Sequence, residues 1–112
     1  MSLDISLTIT VDTGGEEPYE VELYNGNYTH NVGSMWRKAG VYDALYNSAG
    51  VKAGELIDVL VAGWRDMNKS PAEYRELNPP NGWGDYDSAA TFLADLIWAC
   101  QKHPKAIIEV SR

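Results

Sequence analysis

Leu3, Ile5, Leu7, Ile9 and Val11 alternate with Asp4, Ser6, Thr8 and Thr10. A strict period of two sends every apolar side chain to one face of a strand and every polar one to the other, so the strand is half-buried. It therefore needs a cover on one side only. Downstream the period changes. Leu56, Ile57, Leu60, Val61, Trp64 and Met67 recur every three or four residues, as do Ala89, Phe92, Leu93, Leu96, Ile97 and Cys100. Both series describe amphipathic helices. A chain that opens on strands and continues in helices is α+β, with the helices laid over one face of a small, mostly antiparallel sheet.

The other elements fit between these anchors. Asp12 to Pro18 is a turn-rich break, and Tyr19, Val21 and Leu23 alternate with Glu20, Glu22 and Tyr24 as a second strand, so the two strands form a hairpin. Asn25-Gly26-Asn27 reads as a further turn, after which Tyr28-Thr29 is a short strand. Asn31 is placed to cap a first helix through Met35, Trp36 and Ala39, with Gly40 as its stop. Val41 to Tyr46 is a short helical piece, and a main helix spans about Ala53 to Asn68. Ser70-Pro71-Ala72-Glu73 has the form of a capping box before a short helix through Leu77. Asp85 or Asp87 caps the last helix, Pro104 closes it, and Ala106 to Val110 is a final strand that pairs with the hairpin. The expectation is one compact domain over 1–112, with the hairpin plus the C-terminal strand covered by three to five helices.

Composition limits the partners. A net charge of −7 and a pI near 4.6 oppose direct binding to nucleic-acid phosphates or to an anionic membrane surface. The acidic residues are spread along the chain. One cysteine, Cys100, allows no internal disulfide, and two histidines, His30 and His103, make no zinc pattern. No apolar run is long enough to span a membrane, and no basic-then-apolar leader stands at the N-terminus. The reading is a cytoplasmic protein without metal or cofactor, whose partner is a small molecule or another protein.

The densest turn chemistry lies at Asn78-Pro79-Pro80-Asn81-Gly82-Trp83-Gly84-Asp85-Tyr86. Two prolines fix φ in succession, and Gly82 and Gly84 admit positive φ around a large aromatic. A rigid turn that presents Trp83 either plugs the core or lines a site. With Tyr86, Asn78 and Asn81 it offers stacking and amide groups, which suit nucleobases, nucleotides or sugars. Thr29-His30-Asn31 forms a strand-to-helix junction, where His30 either bonds the backbone or serves as a general base. Trp36 and Trp98 lie near the edges of their helical stripes and are candidates for a homodimer interface.

Thr29-His30-Asn31, Met35 with Ala39-Gly40, the Asn-Pro-Pro-Asn-Gly-Trp-Gly string with Tyr86, Ala99-Cys100 and Val110-Ser111-Arg112 together resemble a group of small hypothetical proteins of bacteria and their phages. The resemblance runs from about Thr29 to the C-terminus. It implies a bacterial or phage origin and a single compact domain, and it assigns no activity.

Several catalytic readings fail on the residues. Asp12-Thr13-Gly14 matches a protease triplet, but that chemistry needs two carboxylates sharing a proton in a nearly all-β fold. Asp12, Glu16 and Glu17 do not have EF-hand spacing. No nucleophile elbow, phosphate loop or dinucleotide fingerprint is present. The sequence thus favours a non-enzymatic binding protein with a site built from Thr29, His30, Asn31, Asn78, Asn81, Trp83 and Tyr86. The alternatives are a hydrolase or transferase using His30, and an acidic nucleic-acid mimic that occupies a basic partner.

Overall fold

In the computed structural model, which describes residues 2–112, the alternating stretch is the central strand of a three-stranded antiparallel sheet. This strand, β1 (Ser2–Val11), lies between β2 (Tyr19–Thr29) and β3 (Ile107–Ser111) in the order β2-β1-β3. Leu3, Ile5 and Leu7 are fully buried, because the helices cover their face. Ser6 and Thr8 point the other way, where longer neighbours on both flanking strands hem them in: Asn25 and Glu109 beside Ser6, Glu22 and Ile107 beside Thr8.

The helical part begins with a 3₁₀ turn at His30–Val32 and continues through α1 (Gly33–Ala39) and α2 (Tyr42–Tyr46). A second 3₁₀ turn, Ala53–Leu56, leads into α3 (Ile57–Lys69), followed by α4 (Pro71–Arg75) and α5 (Tyr86–Lys102). The longest helices, α3 and α5, pack on each other, while α5 also touches β2 and α1 touches α3. Tyr28 of β2, Trp36 of α1 and Phe92 of α5 meet with ring centroids 5.4–6.1 Å apart. Each such aromatic pair adds about 0.5–1.5 kcal/mol beyond its buried area, so this trio ties the hairpin to two helices.

Trp36 therefore does not belong to a subunit interface. It is 0% exposed at the centre of the core, because α1 is sandwiched between the hairpin and the long helices. The second strand does not break at Asn25-Gly26-Asn27 either; β2 runs unbroken to Thr29. Cross-strand bonds override the turn preference of these residues. Asn25 Nδ2 donates to Ser6 Oγ at 2.9 Å, and Asn27 Nδ2 donates to Asp4 Oδ1 at 2.9 Å. Gly26 pairs with Ile5, and a Cβ there would come within 3.0 Å of Phe92, so the missing side chain makes room for α5.

Two caps also differ from expectation. Thr29, not Asn31, caps the 3₁₀ turn, with its Oγ1 accepting from Asn31 N at 3.3 Å. Ser70 makes no side-chain cap bond, and α4 ends at Arg75 rather than Leu77. Asp85 does cap α5, accepting from Ser88 N at 2.8 Å. Those bonds to Ser88, the backbone one first, hold the Asp85 carboxyl below its usual range.

Candidate functional site

The end of β2 and the turn before α5 come together across a backbone contact that only glycine permits. Gly84 has φ +94°, and a Cβ there would lie 2.6 Å from Thr29 Cγ2 and 3.1 Å from Val32 Cγ1. The same seam is bonded by Tyr28, whose hydroxyl accepts from Asp85 N at 3.2 Å and lies 2.6 Å from Ser88 Oγ. Asn81 Oδ1 accepts from Trp83 N at 3.0 Å, closing a local turn at the base of the tryptophan.

These contacts leave an open groove of 560 Å³ lined by Ser2, Asn27, Thr29, His30, Asn31, Asn81 and Trp83. The volume falls within the usual range for small-molecule sites, about 300–1,000 Å³. Trp83 is 68% exposed, so it does not plug the core. With Asn81 Oδ1 and Asn27 Nδ2 engaged, the Asn81 amide N–H groups and the Asn27 carbonyl oxygen remain for a ligand. Asn31 is exposed and its side chain makes no hydrogen bond among the described residues. No lining residue carries a formal charge when His30 is neutral.

Five of the residues singled out in the sequence thus share one groove: Thr29, His30, Asn31, Asn81 and Trp83. Asn78 and Tyr86 do not join them. Asn78 Oδ1 accepts from Tyr86 N at 2.9 Å, and buried Tyr86 donates its hydroxyl to Met67 O at 2.8 Å. Both residues fasten the turn to the helices. Ser2 and Asn27 complete the groove and were missed. The signal for Asn27 was the strand period, which puts it on the face of Thr29, but the reading of Asn25-Gly26-Asn27 as a turn hid it. Ser2 pairs with Thr29 in the hairpin register.

His30 is poorly set up for proton transfer. Its Nε2 is enclosed and has no hydrogen-bond partner, and its ring lies against Tyr46 with centroids 5.3 Å apart. No carboxylate orients the imidazole by a hydrogen bond among the described residues, an arrangement a general base usually has. Cys100 is buried on α5, and burial pushes its thiol up to about 11, the opposite of a nucleophile's requirement. Among the described residues no group of three or more His, Cys, Asp or Glu could hold a metal ion. No helix of the described residues is long and apolar enough to cross a membrane.

Trp98 is 59% exposed, with Lys102 Nζ 4.8 Å from its ring centroid. It lines a smaller groove of 280 Å³ between α3 and α5 together with Val61, Trp64 and Ile97. Comparison of the chain with protein-family models, with curated proteins and with solved structures gives no match.

Proposed function

We propose that this chain is a non-enzymatic binding protein whose groove at Trp83 takes a small, uncharged, polar ligand with a flat face. Pyranose sugars and nucleosides share that chemistry. The observation that carries the reading is an exposed tryptophan that shares one groove with amides and hydroxyls, with no Asp, Glu, Lys or Arg among the lining residues. A flat ligand stacks on the indole, while Asn27, Asn31, Asn81, Ser2 and Thr29 offer directional donors and acceptors. A phosphate or carboxylate would find no lysine or arginine among the lining residues, which favours neutral ligands over nucleotides. The enclosed Nε2 of His30 favours binding over the hydrolase or transferase alternative.

Titration of intrinsic fluorescence with panels of neutral saccharides and of nucleosides tests this. A saturable change with one panel, absent in a folded Trp83→Ala variant, is the expected result and names the ligand source. Equal responses of wild type and Trp83→Ala, or none to either panel, would remove the groove as the site.

A further inference from the structure

The hairpin carries nearly all of the molecule's net charge. Residues 1–29 contain six Asp or Glu and no Lys or Arg, whereas residues 30–112 contain ten against nine, so they contribute −6 and −1 of the total −7. Folding concentrates this charge further. Glu20 and Glu22 lie on the face of β2 that looks away from the helices, and Glu109 reaches them from β3 across the small Ser6 and Thr8. A hydrogen bond that the protonated Glu109 carboxyl donates to Glu20 raises it above its usual range, and the charges of both β2 glutamates add to this. Both ion pairs found among the described residues, Lys38–Glu73 and Arg75–Asp87, lie elsewhere.

The same strand has an unpaired edge. β3 is covered on its outer side: Gly50 N donates to Ile108 O, Ile108 N to Val51 O and Ala53 N to Ala106 O, each at 2.8 Å. β2 is the other edge of the sheet, and from Tyr19 to Tyr28 its backbone bonds only to β1 among the described residues. β3 pairs with β1 only from Asp4 to Thr8, so the hairpin beyond Thr8 stands clear of the third strand. There Tyr19 is 65% exposed, and Val11 and Val21 are also exposed on the opposite face from Glu20.

We propose that the outer edge of β2, from Tyr19 to Leu23, takes up an extended segment of a partner protein in which basic and apolar residues alternate. The segment joins the sheet as a fourth strand. Residues opposite one another on neighbouring strands share a face. The basic side chains of the segment therefore meet Glu20 and Glu22, and its apolar side chains meet Tyr19 and Val21. Main-chain bonds to the free edge give affinity, and the alternation gives selectivity. A second copy is a poor occupant, because pairing would bring two hairpins of charge −6 together.

The probe is a capped peptide of about eight residues alternating lysine with valine or threonine, added to the full chain at low salt. The expected result is saturable binding with slowed amide exchange confined to β2. Glu20→Gln with Glu22→Gln weakens it by about tenfold or more. N-methylation of alternate peptide nitrogens does the same while preserving charge. A glutamate–valine peptide binds the Glu20→Lys, Glu22→Lys variant instead. The proposal is overturned by the absence of saturable binding up to about 1 mM, by equal binding of the N-methylated peptide, or by slowed exchange away from β2. Concentration-dependent protection of β2 without peptide would overturn it too, by showing a second copy on that edge.

Discussion

A methyl group on Gly84 would meet Thr29 and Val32 at 2.6 and 3.1 Å in a backbone conformation, φ +94°, that side chains rarely adopt. Gly84→Ala is therefore expected to cost about 2 kcal/mol or more by chemical denaturation, from backbone strain and overpacking together, and to open the seam beneath Trp83. The tryptophans separate cleanly at this scale. Trp36→Ala removes a fully buried ring from the Tyr28–Phe92 cluster and should cost about 3–5 kcal/mol. Trp83→Ala removes an exposed one and should stay within about 0.5 kcal/mol of wild type. Similar losses from both variants in a urea series would contradict this. The sequence could show that Trp83 sat on a rigid turn, because prolines and glycines act locally. It could not show the fate of Trp36, since a position on a helical stripe does not say how many neighbours press on that helix. The same limit misplaced Tyr86, whose hydroxyl partner Met67 lies on a different helix.

Among the elements, α3 shows how packing outweighs propensity. Gly63 is buried mid-helix, and a Cβ there would come within 2.3 Å of Val41 Cγ1 and 2.9 Å of Ala39 O. Alanine gains about 1 kcal/mol of intrinsic helix propensity over glycine, but the obstruction includes backbone that cannot swing away. Gly63→Ala should thus be net destabilising, read as a lower thermal midpoint. A rise in the midpoint would mean that α1 and α3 are more loosely joined than described. Helix positions were legible because their apolar stripes have a period of their own. β2 was only partly so. Its Asn25-Gly26-Asn27 segment has the composition of a turn, and the ladder with β1 together with the cross-strand bonds to Ser6, Ser2 and Asp4 keeps it extended. Ser70 failed as a cap for the opposite reason: the residue type was right, but its side chain makes no bond to the helix start.

At the scale of the whole molecule, the extents of 53 × 27 × 18 Å reflect a hairpin that outruns its third strand. The acidic residues looked scattered in sequence, yet the hairpin holds almost all of the net charge. That asymmetry was countable in the chain, whereas the convergence of Glu20, Glu22 and Glu109 required the strand register. The core also has a pH signature. Burial raises the Cys100 thiol from 9.0 to about 11. Well below pH 9 the thiol is protonated in both states and folding bears no penalty. As pH rises from 9 towards 11 the unfolded thiol ionises first, so stability falls, by about 3 kcal/mol at most. Cys100→Ala should flatten that part of the profile, and an unchanged slope would assign it to other groups. The central claim is that the Trp83 groove is a binding site. The most direct measurement follows the four indole N–H signals by NMR while neutral saccharides and nucleosides are added. The account expects the Trp83 signal to shift saturably while that of Trp36 stays fixed. A Trp83 signal that never moves, or a response only at Trp64 and Trp98, would contradict it.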